Sequence, residues 1–333
     1  MSFDLIPEPQ SVTLNGDAAD SDDAGAPVPV ALPLVGRISE DRDIDDIAGV
    51  FPTQLADDIE AATGLRWDIA SDVMVAGLPA PNAATAHPVP PHASCWKSFI
   101  TLRLDPSSLE PQEYRLTIAR SGIDVVGGDT EGVRNGVQTL RQIIRQCAPA
   151  LPRLVIADKP AYKVRGYYLD ATRGRVPTLD WLKTWADRLC LYKYNQLQLY
   201  IEHTFMFDDL SETWRGTSPL KPADIIAFDE YCARLGIELV PSVSTFGHQY
   251  MAMRTRELRH LGEFPEDADR RYGFVERQRH HTLNITEPES LAFSFKLIDA
   301  YMQLFRTRKF NICGDETFDL GRGRSKPEAE RRG

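Results

Sequence analysis

Two adjacent carboxylates, Asp315 and Glu316, follow a short apolar run and a glycine late in the 333-residue chain. The glycine, Gly314, leaves room for a ligand or another backbone to come close. Adjacent acidic residues after a strand fit two roles. They can cap the next helix, as acidic residues do in a first turn, or they can transfer protons as a general acid and base. The spacing alone leaves both roles open.

Further ionisable residues stand where earlier strands are predicted to end. Asp170 and Arg173 stand at the end of one strand, Glu202 and His203 stand at the end of the next, and His248 follows a third. Ionisable residues at the carboxyl ends of successive parallel strands are typical of an active site on a βα barrel, whereas an open sheet binds at one switch point. A two-metal site is a third alternative. It needs more carboxylates at neighbouring strand ends, and only Glu202 is available.

The elements that must position these residues alternate between strand and helix. Apolar spacing and capping residues predict helices that begin after Thr178, at Pro222 and after Thr286. The four predicted strands cover residues 164–171, 196–202, 238–244 and 310–313. The apolar residues expected inside the third helix and its end are Leu291, Phe295, Ile298, Met302 and Phe305. This α/β alternation implies a parallel sheet, and four contributing strands favour a TIM (β/α)8 barrel over an open sheet.

The first half of the chain predicts a small α+β domain with a supporting role. Its predicted strands and helix cover residues 98–104, 113–119, 123–126 and 130–146. Thr130 is the expected helix cap. An acidic segment at 17–29 and a Pro- and Ala-rich segment at 76–93 indicate surface loops. We therefore predict a supporting domain at residues 1–157 and a catalytic domain at residues 158–333.

The composition argues against several classes of function. With 38 basic and 48 acidic residues the net charge is −10, which disfavours binding to nucleic acid or an anionic membrane. No apolar run is long enough to span a membrane, and the first ten residues lack the features of a secretory signal. The five scattered cysteines indicate buried thiols in a reducing compartment rather than disulfides or a zinc site. We expect a cytoplasmic protein.

Four segments of the second half carry a set of motifs in a known order. They are residues 164–173 (VRGYYLDATR), 193–200 (KYNQLQLY), 241–248 (PSVSTFGH) and 312–316 (ICGDE). These segments resemble the first three barrel strands and the Gly-Asp-Glu signature of glycoside hydrolase family 20, the β-N-acetylhexosaminidases. The match is closer to the shorter bacterial members. Residues 113–146 also resemble the end of the small α+β domain that precedes the barrel in this family.

The resemblance implies hydrolysis of terminal, non-reducing β-linked N-acetylhexosamine (GlcNAc or GalNAc) with retention. In this family the sugar's 2-acetamido oxygen acts as the nucleophile, so the protein supplies none. Glu316 is implied as acid and then base, and Asp315 as the carboxylate that holds the acetamido N–H. Arg165 is implied to bind sugar hydroxyls, and Glu202 and His248 to support the acid–base pair. The implied partner is a small-molecule or oligosaccharide substrate, and no metal or organic cofactor is implied.

The chain departs from the family pattern in several motif positions and in length. Larger members usually have a His at the position of Asn311 and a His-x-His at Gln198 and Tyr200. They end the second strand on Asp-Asp, where this chain has Glu202 and His203. A complete barrel needs about 250 residues and eight strands. Only 175 residues follow position 158 (333 − 158 = 175), with four predicted strands. We therefore expect the first half of a barrel, in a fragment or a truncated gene product.

Two alternatives from other classes stay open. One is an inactive or carbohydrate-binding fragment of such an enzyme. The other is a metal-dependent TIM-barrel lyase or hydrolase, which a chelator would inactivate. Because four strands leave two open sheet edges, we expect residues 1–333 alone to be inactive and poorly soluble.

Overall fold

A computed structural model describes the protein at residues 3–14, 28–47, 49–70 and 98–333. The chain divides into two compact units. The first comprises Met1–Lys163 and Leu189–Lys193, and the second comprises Val164–Arg188 and Tyr194–Gly333. The domain division that the sequence suggests after residue 157 stays a prediction. Residues 17–27 and 76–93 of the two predicted loops lie outside the described residues.

Among its described residues, the first unit contains a mixed seven-stranded sheet, a two-stranded sheet and two helices. Its strands are β1 (Ser11–Leu14), β2 (Val30–Ala31), β3 (Arg37–Glu40), β4 (Asp68–Ile69), β5 (Ile100–Leu104), β6 (Tyr114–Ala119), β7 (Gly122–Gly127), β8 (Ala150–Leu151) and β9 (Leu154–Asp158). The sheet order is β1-β9-β6-β7-β5-β3-β4, and β2 pairs separately with β8. The helices are α1 (Val50–Thr63) and α2 (Thr130–Cys147). The predicted strands β5, β6 and β7 and helix α2 are confirmed within two residues.

Helix α2 forms because one of its faces is continuously apolar. Its side chains at the predicted spacing are fully buried: Val133, Val137, Leu140 and Ile144. The predicted cap is wrong, because Asp129 rather than Thr130 caps the helix. The Asp129 carboxylate accepts a hydrogen bond from the Gly132 amide at 2.7 Å. The backbone of Asp129 is extended, as a cap requires, whereas Thr130 is already helical.

A parallel three-stranded sheet forms the centre of the second unit. Its strands pair in chain order: β10 (Gly166–Asp170), β11 (Gln196–Ile201) and β12 (Glu238–Val243). The helices that follow residue 164 are α3 (Leu179–Leu191), α4 (Ser211–Trp214), α5 (Pro222–Arg234), α6 (Tyr250–Met253), α7 (Phe274–Arg277), α8 (Pro288–Met302) and α9 (Lys326–Arg332). This strand–helix order brings the carboxyl ends of the three strands to one edge of the sheet.

The fourth predicted strand, at residues 310–313, is present only as one parallel bridge between Ser242 and Asn311. The Asn311 carbonyl accepts a hydrogen bond from the Val243 amide at 3.1 Å. The pairing ends there because the Asn311 side chain accepts from the Cys313 amide at 3.1 Å. Cys313 has a φ of 47°, which turns the chain out of an extended conformation.

Helix α8 buries only some of its apolar residues. Its buried apolar side chains are Phe293, Leu297 and Tyr301, whereas three of the residues predicted inside the helix are exposed: Leu291 (63%), Phe295 (53%) and Met302 (40%). Glu287 rather than Thr286 precedes the helix. Apolar residues occupy more than one side of α8, so their spacing cannot identify the side that packs.

No helix in the described ranges has the length and apolarity that crossing a bilayer would require. Among the predicted buried thiols, Cys190, Cys232 and Cys313 are buried, and Cys147 is half-buried. Cys95 lies outside the described residues.

An acidic pair lies at the start of α1 in the first unit. The Asp46 carboxylate accepts a hydrogen bond from the Phe51 amide at 2.7 Å, in the first turn of the helix. Glu40, the last residue of β3, is half-buried beside Asp46. Burial, and then the charge of Asp46, raise the pKa of Glu40 to about 8. Burial also raises the pKa of Asp46.

We expect Glu40 to make the first unit less stable as the pH rises from about 5 to about 8. The folded chain holds a proton on Glu40 that the unfolded chain releases near the ordinary pKa of 4.5, so the free energy of unfolding falls across this window. Glu40→Gln should flatten the decline, measured as the thermal midpoint at each pH. Glu60→Gln, an exposed change on α1, should keep the decline. An unchanged slope in Glu40→Gln would contradict the assignment.

Candidate active site

One face of the three-stranded sheet is lined with polar side chains. Side chains alternate across a strand, and on β11 the polar residues Gln196, Gln198 and Tyr200 share one face. Their hydrogen-bond partners on neighbouring segments are Glu238, Asn311 and Ser244, at 3.0, 3.1 and 2.9 Å. The same period places Glu202, just past the end of β11, on this face. The buried leucines of β11 take the opposite face.

The Glu202 carboxylate is a buried, ionised group at the strand edge. Its side chain is only 5% exposed, lies 3.2 Å from an Arg173 nitrogen and accepts a hydrogen bond from the Tyr200 hydroxyl at 3.1 Å. Burial opposes ionisation. Interaction with His203 and the charges of Arg173 and His248 outweigh burial, so the pKa of Glu202 lies below its ordinary value. Glu202 therefore provides a fixed negative charge.

Arg173 connects the ends of β10 and β11. Its guanidinium lies 3.1 Å from the Asp170 carboxylate and 3.2 Å from that of Glu202. The guanidinium carbon lies 5.0 Å from the centre of the Tyr200 ring, within cation–π range. One side chain thus joins two carboxylates and an aromatic ring. The sequence placed Asp170 and Arg173 at a strand end and assigned neither of them a role.

His248 and Glu316 approach each other from two loops. The Nε2 atom of His248 lies 3.1 Å from a carboxylate oxygen of Glu316. The His248 side chain is 4% exposed and that of Glu316 is 48% exposed. Nε2 has no hydrogen-bond partner of good geometry among the described residues. A buried ring nitrogen therefore faces an accessible carboxylate.

Both residues hold left-handed backbone conformations, with φ of 55° at His248 and 49° at Glu316. Each such conformation costs a residue with a side chain about 1–3 kcal/mol, and surrounding structure must maintain it. Strain of this kind gathers at functional sites. Asp315 is exposed beside Glu316, and one donor atom each from His248, Asp315 and Glu316 lie within 4.8 Å of one another.

Gly247, rather than Gly314, is the glycine that permits a close approach. A Cβ added at Gly247 would lie 3.0 Å from the Asp315 carbonyl oxygen. A Cβ added at Gly314 would meet nothing within 4 Å. No other backbone segment of the described residues therefore approaches Gly314 closely. The missing side chain at Gly247 lets the backbone of Asp315 pass beside the His248 loop.

Asp319 ties the Glu316 segment to the His248 segment. Its carboxylate is 5% exposed, accepts a hydrogen bond from the His281 amide at 2.9 Å, and lies 2.9 Å from His280 Nδ1. The His281 carbonyl in turn accepts from the Gln249 amide at 3.0 Å. Sequence reasoning missed Asp319, because its partners lie 38 and 39 residues away and no motif marks them.

The structure brings four of the five predicted site residues to one region. Asp315, Glu316 and His248 form a cluster, and Glu202 and His248 line one cavity with mostly apolar walls. The charge of His248 contributes to the lowered pKa of Glu202. Which of these residues perform catalysis stays a prediction.

Arg165 lies at the amino-terminal end of the parallel strands, opposite the end that carries the carboxylates. It precedes the first residue of β10, and its amide donates a hydrogen bond to the Asn195 side chain at 2.8 Å. Asp170 ends the same strand, so the two backbones are about 16 Å apart at the usual rise per residue. The backbone therefore does not bring Arg165 to the carboxylates.

Two family models match the chain in consecutive segments. The model described as "Glycosyl hydrolase family 20, domain 2" matches residues 47–159, and "Glycosyl hydrolase family 20, catalytic domain" matches residues 162–327. A lacto-N-biosidase of Bifidobacterium bifidum is 28% identical over 65% of this chain and 19% of its own length. A β-hexosaminidase of Akkermansia muciniphila is 30% identical over 42% of this chain and 33% of its own length.

Solved structures share the fold. An N-acetyl-β-hexosaminidase of Streptomyces plicatus superposes with a TM-score of 0.69 at 21% identity, over 95% of this chain and 60% of that one. A chitobiase of Flavobacterium johnsoniae gives 0.70 at 19% identity, over 98% and 47%. The predicted fold class, an α+β domain followed by part of a TIM barrel, is confirmed. The chain spans about half of the solved chains and a third or less of the two curated relatives.

We expect Asp319→Ala to lower the free energy of unfolding by about 1.5–3 kcal/mol, because it removes a buried, charged acceptor from a backbone amide. Amide exchange at His281 and Gln249 should accelerate. The control Asp269→Ala removes an ion pair whose carboxylate is 83% exposed and should cost much less. Urea unfolding with hydrogen exchange compares the two variants, and equal losses in both would refute the bridging role.

Proposed function

The chain belongs to glycosyl hydrolase family 20, and from this premise we propose that it carries the acid–base site of a retaining β-N-acetylhexosaminidase. The substrate is a glycoside with a terminal, non-reducing β-linked GlcNAc or GalNAc. One observation supports the proposal most. In the segment that matches the catalytic-domain model, buried His248 lies 3.1 Å from Glu316, and Asp315 is adjacent.

The proposed reaction has two steps. In the first, the 2-acetamido oxygen of the substrate forms a bond to the anomeric carbon as the bond to the leaving oxygen breaks. Glu316 gives that oxygen its proton, and the exposed Asp315 holds the acetamido N–H and offsets the positive charge of the oxazolinium ion. In the second step water attacks the anomeric carbon, the bond from that carbon to the acetamido oxygen breaks so that the oxazolinium ring opens, and Glu316 takes the proton from water. The sugar's own acetamido group replaces a protein nucleophile.

Supporting groups keep the proton transfer in place. Glu202 is ionised and buried, and it lines one cavity together with His248. His248 in turn fixes the orientation of the Glu316 carboxylate at 3.1 Å. Arg173 holds Glu202 in place through their contact at 3.2 Å. Arg165, at the amino end of β10, is proposed to bind sugar hydroxyls from the floor of the barrel.

One observation favours a second candidate, a metal-dependent hydrolase. His248, Asp315 and Glu316 each offer a donor atom within a span of 4.8 Å. A metal-dependent enzyme would lose its activity when treated with a chelator and regain it when the metal is restored. The hexosaminidase should keep full activity in the chelator. The comparison separates the two candidates in one assay.

Glu316→Gln should lower kcat/KM by about 10²–10⁴-fold on N-acetylglucosaminides with poor alkoxide leaving groups. The loss should be much smaller with a 4-nitrophenolate leaving group, which needs little protonation. Asp315→Asn serves as the comparison and should reduce activity on all leaving groups alike, because the oxazolinium ion forms with each. The series is measured on the 333-residue chain and on the longest polypeptide that the gene encodes.

An equal loss on every leaving group in Glu316→Gln would remove Glu316 from the acid role. Binding of GlcNAc without turnover, in both polypeptides, would instead favour the carbohydrate-binding alternative.

A further inference from the structure

The cluster of His248, Asp315 and Glu316 combines a buried nitrogen donor with two accessible oxygen donors. The three donor atoms lie within 4.8 Å of one another, and His248 Nε2 and Glu316 Oε2 are 3.1 Å apart. Two carboxylates near each other are by themselves a common surface feature. The independent observation is the histidine, because its side chain is only 4% exposed and its Nε2, which faces Glu316 at 3.1 Å, makes no well-aligned hydrogen bond with the described residues.

The donor set indicates the kind of ion. Neutral imidazole and carboxylate oxygens suit Zn²⁺, which binds histidine nitrogen and carboxylate oxygen at about 2.0–2.2 Å. Calcium and magnesium prefer sites made of oxygen alone. Tetrahedral donors at those bond lengths are about 3.4 Å apart. The separation between His248 and Glu316 is already close to that value, and exposed Asp315 can move to reach it.

We propose that His248, Asp315 and Glu316 bind one Zn²⁺ ion, with a fourth position open to water. The site uses three protein ligands and an accessible fourth position, as zinc sites that remain open to small molecules do. Binding itself depends only on these three side chains. One consequence rests on the proposed function: an ion on Glu316 and Asp315 would block proton transfer and recognition of the acetamido group, so Zn²⁺ would inhibit the hydrolase.

A second histidine–carboxylate pair on the surface provides a matched control. His260 Nε2 lies 2.8 Å from Glu289, and the two side chains are 47% and 70% exposed. This pair offers only two donor atoms, and neither is buried. A change at His260 therefore measures adventitious binding of Zn²⁺ at the protein surface without altering the proposed site.

Isothermal titration of the 333-residue chain with Zn²⁺, in a buffer that does not bind metal, tests the site. The unchanged chain should bind one ion. Glu316→Gln and Asp315→Asn are both exposed substitutions that preserve volume. Each should weaken Zn²⁺ binding at least about tenfold, because even the loss of a residue that only hydrogen-bonds to a zinc ligand lowers metal affinity by about that factor. His260→Gln should bind as the unchanged chain does. Absent binding, or undiminished binding in either carboxylate variant, overturns the proposal.

An activity assay separates this inference from the proposed function. A hydrolase that Zn²⁺ inhibits and a chelator restores supports both. Zinc binding at the three residues without hydrolysis of any N-acetylhexosaminide supports the metal site and contradicts the hexosaminidase. Hydrolysis that zinc leaves unchanged, while calorimetry shows no binding, supports the hexosaminidase and overturns the metal site.

Discussion

The contact between a buried imidazole and an accessible carboxylate, His248 and Glu316 at 3.1 Å, is the constraint on which the rest of the site depends. It joins two loops far apart in sequence, and each partner holds a left-handed backbone conformation that a non-glycine residue avoids. The surrounding structure must offset that cost. The lack of a side chain at Gly247 admits the Asp315 backbone, and buried Asp319 hydrogen-bonds to a turn that pairs with the His248 segment.

A second group of charges sets the electrostatics on the other side of His248. Glu202 stays ionised although it is buried, because Arg173 and the two histidines outweigh the cost of desolvation. Arg173 also binds Asp170, so one guanidinium holds the ends of two parallel strands in register with the site. The same arrangement serves either a proton-transfer site or a metal site, since both need an oriented imidazole beside carboxylates.

Local patterns in the sequence predicted most of the scaffold. Alternating residues predicted β11 to within one residue, and the apolar spacing of α2 predicted its buried face. Long-range packing decided the remainder. Helix α8 is apolar on several sides, so only its neighbours select Phe293 over Phe295 for burial. Asp319 has partners about 40 residues upstream, and the Asn311 side chain ends the predicted fourth strand by accepting a hydrogen bond from the Cys313 amide. Neither of these hydrogen bonds produces a periodic pattern of residues that could be recognised in the sequence.

The central claim is that this site uses the acetamido group of its substrate. The most direct test compares kcat/KM for an aryl N-acetyl-β-glucosaminide with that for the matching aryl β-glucoside, on the longest polypeptide that the gene encodes. The two substrates share a leaving group and differ only at the 2-position. The account predicts cleavage of the acetamido sugar and almost none of the plain glucoside, which lacks the internal nucleophile. Comparable cleavage of both would contradict it.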